Sequence, residues 1–214
     1  MGEDVTAAAA DDFASRIAAR SLAKREANYA SEVRRLLDAG REVMGRSGTG
    51  SRPRVADIVA TAGLSNEAFY RHFPSKDALV AAILADGTER LHSYLEHQMS
   101  KESRAEGKIR RWVDGVLAQA DDDSAETTRA VLWNAGGLGE EIVSGPPSAA
   151  SRLATLLHSP LAELGSAEPD FDATLVAHAT VGKLSEFLAR QVRPTQAHID
   201  RITEFCLRAV TSAT

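Results

Sequence analysis

Apolar side chains recur along this chain at the three-to-four-residue spacing of helices, and the alternating Val-, Ile-, Thr- and Tyr-rich runs that would predict strands are absent. From Ser31 to Arg46 the positions Val33, Leu36, Leu37, Gly40, Val43 and Met44 share that spacing, so a helix is predicted there. The run SGTGS, Ser47 to Ser51, reads as a loop. A second helix is predicted over 53–62, with Val55, Ile58 and Val59 inward. Pro53 suits its first turn, where a missing N–H costs nothing.

The pattern then becomes abrupt. Gly63 lets the chain turn, and Ser65 is a good N-cap for a short helix over 66–73. Leu64 and Phe69 have the spacing of a hydrophobic staple across that cap. Pro74 ends the piece, because the residue before proline is pushed out of helical geometry. Ser75 then caps a long helix over 76–99 whose Leu79, Ile83, Leu91 and Leu95 lie near one face. A helix, a tight glycine turn and a second helix make a helix-turn-helix.

Further helices are predicted over 104–120, 124–143, 148–165, 171–191 and 195–212, separated by acidic, Gly-Pro or Arg-Pro breaks. No internal repeat is present, and residues 1–11 are expected to be disordered. The fold expected is all-α. Its parts are an extension over 1–30 (partly disordered or an extra helix), a helix-turn-helix domain over 31–78, and a helical body over 79–214.

Composition adds limits. The chain has 214 residues, 43% hydrophobic and 5% aromatic, enough for a small module plus a larger helical domain. No apolar run approaches the ~18 residues of a membrane span, so no membrane partner is expected. The N-terminus does not read as a secretory signal. Gly2 and Thr6 fit a myristoylation pattern, against which the acids directly after Gly2 argue. The single Cys206 excludes an intrachain disulfide and fits a reducing cytosol, so a cytoplasmic protein is expected. The net charge of −5 taken alone argues against a nucleic-acid partner, but it is unevenly spread. Residues 1–12 carry −4, residues 13–80 carry +5, and residues 81–214 carry −6. A basic head on an acidic body suits a polyanion-binding module.

With Phe69 and Phe73 pointing inward, Asn66, Glu67, Tyr70, Arg71 and His72 are left to face outward or sideways. The N-terminus of such a helix can enter a major groove and reach base edges. Tyr70 and His72 then offer donors at the rim, and Lys76 adds charge at a helix N-terminus that already favours phosphate. The same corner could also be packing alone.

The run VADIVATAGLSNEAFYRHFPSKDAL resembles the DNA-binding signature of the TetR family of bacterial transcriptional regulators. The match lies in Ile58, the Ala62-Gly63-Leu64-Ser65 turn, the Tyr70-Arg71-His72-Phe73 block and Ser75-Lys76-Asp77-Ala78-Leu79, and with the preceding helix it covers about residues 31–85. The resemblance implies a homodimer on a palindromic double-stranded operator, released by a small-molecule effector bound in the body. It makes Ser65, Asn66 and Ala68 candidates for base contact and Tyr70, His72 and Lys76 candidates for phosphate contact, with Arg71 a further DNA-binding candidate. Where the family usually has a capping Thr this chain has Arg54, which can reach phosphate as a charge but puts the capping role in doubt. Glu67 is awkward beside DNA unless it accepts from a cytosine amino group.

Arg16, Arg20 and Lys24 recur every four residues and are candidate accessory DNA contacts; the alternative is a flexible, solvated segment. By resemblance the last two helices form the dimer's four-helix bundle. A stripe of Phe171, Leu175, His178, Gly182, Ser185 and Ala189 and a seam of Ile199, Ile202, Cys206 and Ala209 suit that role. Effector-pocket candidates are Trp112, Trp133, Asn134, His158, His178 and Phe187, with core packing the competing reading for each. An apolar or mixed effector fits better than a highly charged one.

Enzymatic readings find little footing. His92 and His97 are five apart, the wrong spacing for a metal pair on one face, and no metal or cofactor is expected. The run Asp121 to Asp123 lacks the alternating ligands of a calcium site. The glycines of Ala135 to Gly139 are followed by Glu140 and Glu141, where phosphate needs positive charge. No motif marks Cys206 as a nucleophile. The rival reading is a dimeric regulator whose body binds no small molecule and serves only dimerisation or protein contacts. In either case the helix beginning at Lys76 is the natural lever between the domains.

Overall fold

The computed structural model describes residues 3–136 and 148–211, and every regular element among them is helical. The chain opens with one long helix, α1 (Glu3–Ser47). This corrects the expected disorder over residues 3–11 and the expected helix start near Ser31, while residues 1 and 2 lie outside the described residues. The cause is composition: the segment up to Ala39 holds neither glycine nor proline after Gly2 and is rich in alanine, the strongest helix former.

α2 (Val55–Ala62) begins two residues later than the sequence predicts. Pro53 lies outside the helix and is buried, and Arg54 is the N-cap, with no side-chain capping bond. Gly63 closes α2 in the left-handed region at φ 62°, the conformation a C-terminal glycine is needed for. α3 (Asn66–His72) is capped by the Ser65 hydroxyl, which accepts from the Ala68 N–H at 3.1 Å. α4 (Lys76–Met99) is capped in the same way, with the Ala78 N–H donating to Ser75 at 3.0 Å.

The body follows as α5 (Ala105–Leu117) with a 3-10 turn at Ala118–Ala120, then α6 (Asp122–Ala135), α7 (Ala149–Ala154), α8 (His158–Glu163), α9 (Pro169–Arg190) and α10 (Gln196–Thr211). The single helix predicted over 148–165 is two helices. Pro160 has no N–H to give to the carbonyl four residues back, so the chain breaks at 155–157 and restarts with proline in the first turn of α8. The part of the predicted 124–143 helix beyond Gly136, the Gly137 to Glu141 run and the break at Ser144 to Pro147 lie outside the described residues.

Two hydrophobic cores form. The first joins Leu36, Val43 and Met44 of α1, Ile58 and Val59 of α2, Phe69 and Phe73 at α3, and Leu79 and Ile83 of α4. It also takes in Ala130, Val131 and Ala135 of α6. The second joins Leu95 and Met99 of α4 to Trp112, Val113, Leu153, Leu157, Val176, Leu184 and Cys206. Because α4 contributes to both and α6 reaches from the body into the first, head and body share a seam. At Gly40 a Cβ would meet Ile83 Cδ1 at 2.7 Å, so glycine is what lets α1 lie this close to α4.

Candidate nucleic-acid interface

α3 is too short to hold itself together in water, so its orientation must come from its surroundings. Phe69 is fully buried and Phe73 nearly so, with ring centroids 6.0 Å apart. The opposite face is free: Asn66, Glu67, Tyr70 and Arg71 are exposed, and Lys76 is half-buried at the first position of α4.

Charges on α1, which the local sequence pattern does not single out, fix that corner. The Arg35 guanidinium donates to the Ala62 carbonyl (Nε, 3.0 Å) and the Gly63 carbonyl (Nη2, 2.9 Å). These groups at the end of α2 would otherwise lack partners, and a cation at a helix C-terminus also suits the dipole. Glu32 reaches the end of α3, where His72 Nε2 donates to its Oε2 at 2.6 Å and Arg71 Nη2 at 3.2 Å. The Tyr29 ring stands edge-on to His72 at 4.3 Å. No local periodicity reveals Glu32 or Arg35, because each acts across about 27–40 residues of sequence.

Two predicted contacts need correction. Ala68 is buried beside Phe69 and is not free to reach a base edge. The His72 side chain is 1% exposed and engaged with Glu32, so it positions α3 and does not face a phosphate. Ser65 is exposed, but its hydroxyl is occupied as the cap. The Arg54 side chain is exposed and donates to Asp57 at 3.0 and 3.1 Å, which holds the Asp57 carboxyl below its ordinary range.

The hydrogen bond from His72 likewise holds the Glu32 carboxyl low, against a smaller opposing effect of burial. A carboxyl depressed in the folded state stabilises fully above its unfolded pKa and loses that contribution as pH falls through the folded value. Glu32→Gln is therefore expected to lower the melting temperature near neutral pH. The gap from wild type should close as pH is lowered from about 6 to about 3. Thermal melts across that range check it, and a constant gap would rule the linkage out.

The predicted effector residues do not converge. Trp112 is a core residue whose indole N–H donates to the Leu153 carbonyl at 3.1 Å. Asn134 is buried and bonded to Ala130 in its own helix, while Trp133 is 41% exposed. His158 and His178 are exposed on α8 and α9. Phe187 lines a surface groove between α9 and α10, facing His198 at 5.1 Å.

None of the six lines the cavity between the middle helices. That cavity, of about 160 Å³, lies between α1, α4, α6, α7 and α9. Its walls are Ile83, Leu91, Val131, Leu153 and Leu184, with Arg41, Thr88, Gln119, Thr127, Thr128 and Ser185 as polar members.

On α9 the stripe Phe171, Leu175, His178, Gly182, Ser185 and Ala189 is exposed throughout. The α10 seam differs from expectation: Ile199 and Cys206 face the body core, while Phe205 is 59% exposed. The Ala209 side chain lies outside the described residues. Burial pushes the Cys206 thiol up to about 11, so it stays protonated at neutral pH. His92 is buried between α4 and α7, where its Nε2 accepts from Arg152 at 2.9 Å. No cluster of three or more metal-ligating side chains occurs among the described residues, and no helix there is long and apolar enough to cross a membrane.

Residues 36–83 match the family model of bacterial regulatory proteins of the tetR family. No curated protein matches the chain closely by sequence. Among solved structures, a Mesorhizobium loti protein assigned to the TetR family superposes with a TM-score of 0.62 at 16% identity, covering 86% of this chain and 96% of its own. RolR in complex with resorcinol superposes with a TM-score of 0.60 at 19% identity, covering 86% and 89%. FadR from Bacillus subtilis in complex with stearoyl-CoA gives 0.57 at 12% identity, covering 84% and 98%. The family match spans the same α1–α4 core that presents α3, so this head is similar to that of the tetR family of bacterial regulatory proteins, and the likeness of fold to the solved structures continues through the body.

Proposed function

We propose that the protein is a dimeric repressor that binds a palindromic operator and is released by a compact, largely apolar small molecule. The observation that carries this reading is the position of the cavity. Ile83 and Val131 line it and also belong to the core that holds α3, while Leu153 and Leu184 line it and belong to the body core. A ligand there pushes on both at once.

At about 160 Å³ the cavity resembles apolar sites that hold a single aromatic ring. RolR, with the same fold, holds resorcinol, a ligand of that size. Bound stearoyl-CoA in FadR is far larger than this cavity can enclose without opening. By elimination of Ala68 and His72, the DNA surface is Asn66, Tyr70, Arg71 and Lys76, with Ser65 as cap and Arg54 at the margin. The exposed Phe171, Leu175 and Phe205 support pairing of two copies through α9 and α10. Two-fold symmetry then sets two α3 helices about one DNA turn, ~34 Å, apart.

Selection of bound duplexes from a random pool tests the reading. A palindrome with half-sites one turn apart is expected, and failure to enrich any sequence overturns it. On the recovered operator, Lys76→Ala is expected to weaken all sequences nearly alike and to flatten the salt slope by about one unit for each phosphate it ceases to neutralise. Asn66→Ala should instead relax base preference within each half-site.

A further inference from the structure

Ahead of its contact with α3, α1 is a helix whose described side chains are not buried. Residues 18–31 are exposed throughout, and no other described element packs on them before Tyr29 meets His72. A helix gains most of its stability from a buried face, so a polar rod of this kind is best explained by a partner outside the chain. Because α1 is continuous, the rod's direction is set by the folded part of α1, from Glu32 to Ser47. At ~1.5 Å per residue, the part before Tyr29 projects about 39 Å beyond the domain.

Where it leaves matters. Tyr29 and Glu32 hold the last turn of α3, so the rod departs beside the exposed Arg71, which itself precedes Lys76 at the α4 N-terminus by five residues. That edge is the one assigned above to the DNA backbone.

The rod's charge fits the same polyanion. Arg20 and Lys24 are four residues apart on one face, Arg25 adjoins them, and Arg16 continues the row. Glu26 is the only acid between residues 13 and 31. A second copy of the chain is a poor occupant: parallel rods would bring like charges together, and the exposed apolar residues are few, chiefly Leu22 and Tyr29.

We propose that residues 15–28 of α1 form a second DNA-binding element, lying along the phosphate backbone that flanks each half-site and reading charge rather than sequence. This rests on the helix-turn-helix binding duplex DNA. It would make the footprint longer than the palindrome, because a rod of this length extends past the major groove that α3 occupies.

The test uses full-length protein and the selected operator as two duplexes, one ending at the palindrome and one carrying about ten further base pairs of arbitrary sequence on each side, roughly the rod's reach. Wild-type protein is expected to bind the longer duplex more tightly. Its salt dependence there should be steeper by up to about 5 units of log K against log salt, from three charges in each of two subunits. Arg20→Gln, Lys24→Gln and Arg25→Gln together keep helix-forming side chains. The triple variant is expected to lose the difference between duplexes while still binding the short one. Equal slopes for wild type and variant on both duplexes would overturn the proposal and leave operator recognition by α3 intact. Wild type ignoring both duplexes would instead overturn the reading beneath it. A variant that alters the sedimentation of free protein without changing either slope would assign the rod to self-association, and so would also overturn the proposal.

Discussion

Phe69→Ala is expected to abolish operator binding, with an affinity loss above about 100-fold, while leaving the dimer assembled. Phe69 is fully buried and sits between Phe73 and Tyr70, with ring centroids 6.0 and 5.2 Å away. Removing a buried phenylalanine costs about 3–5 kcal/mol, and α3 has little else to draw on. It is seven residues long, with one cap at Ser65 and a hydrogen bond from His72 to Glu32 at its end. The pairing surface proposed on α9 and α10 lies on elements of the other core, so the damage stays in the head. Calorimetry should show an early transition from the head and a late one near wild type, and size exclusion should show an unchanged dimer. Ser65→Ala, which removes only the cap, should cost about 1 kcal/mol and weaken binding far less. Affinity of the Phe69 variant within tenfold of wild type would mean that α3 is not the element held by this ring.

The corner around α3 was legible in the sequence because its signals are local. A cap, a glycine in a left-handed turn, two phenylalanines four apart and a proline each act within a few residues, and the structure places all of them as read. The departures have equally physical causes. Residues 18–31 of α1 are exposed throughout and show no apolar period, so a reading keyed to amphipathic stripes passes over a helix that alanine content alone supports. The break at 155–157 follows from Pro160, whose effect reaches four residues back.

The site residues divide along the same line. Asn66, Tyr70, Arg71 and Lys76 are exposed or half-exposed, as the 3.6-residue period requires with Phe69 and Phe73 inside. Ala68 and His72 flank that buried face, and only tertiary contacts decide their fate. Glu32 on α1 draws His72 inward. The cavity was not legible at all. Its walls come from α1, α4, α6, α7 and α9, and large aromatic residues, the natural guess, are used as core at Trp112 and as surface at Trp133.

Filling that cavity should imitate the ligand proposed for it. Thr128→Met is expected to weaken operator affinity by about 5–150-fold without any small molecule, the range of ordinary allosteric coupling. Thr128 lies on α6 one turn before Leu132, which packs on the body core, and three residues before Val131 of the α3-bearing core. A flexible, unbranched side chain there occupies the space by pressing on Ile83 and Leu91 of α4 opposite. Arg41 of α1, at the cavity wall, is bonded to Asp86 of α4 at 2.6 Å, so α1 and α4 shift as a pair and not one against the other. The head then tilts on the body, and in a two-fold dimer both recognition helices leave their one-turn spacing together. The same variant should lose most of its affinity for any single-ring ligand that releases the wild type, because the occupied cavity has no room left. An operator affinity equal to wild type, with the thermal transition raised by the added packing, would mean that the space is a packing void. The body would then serve pairing alone.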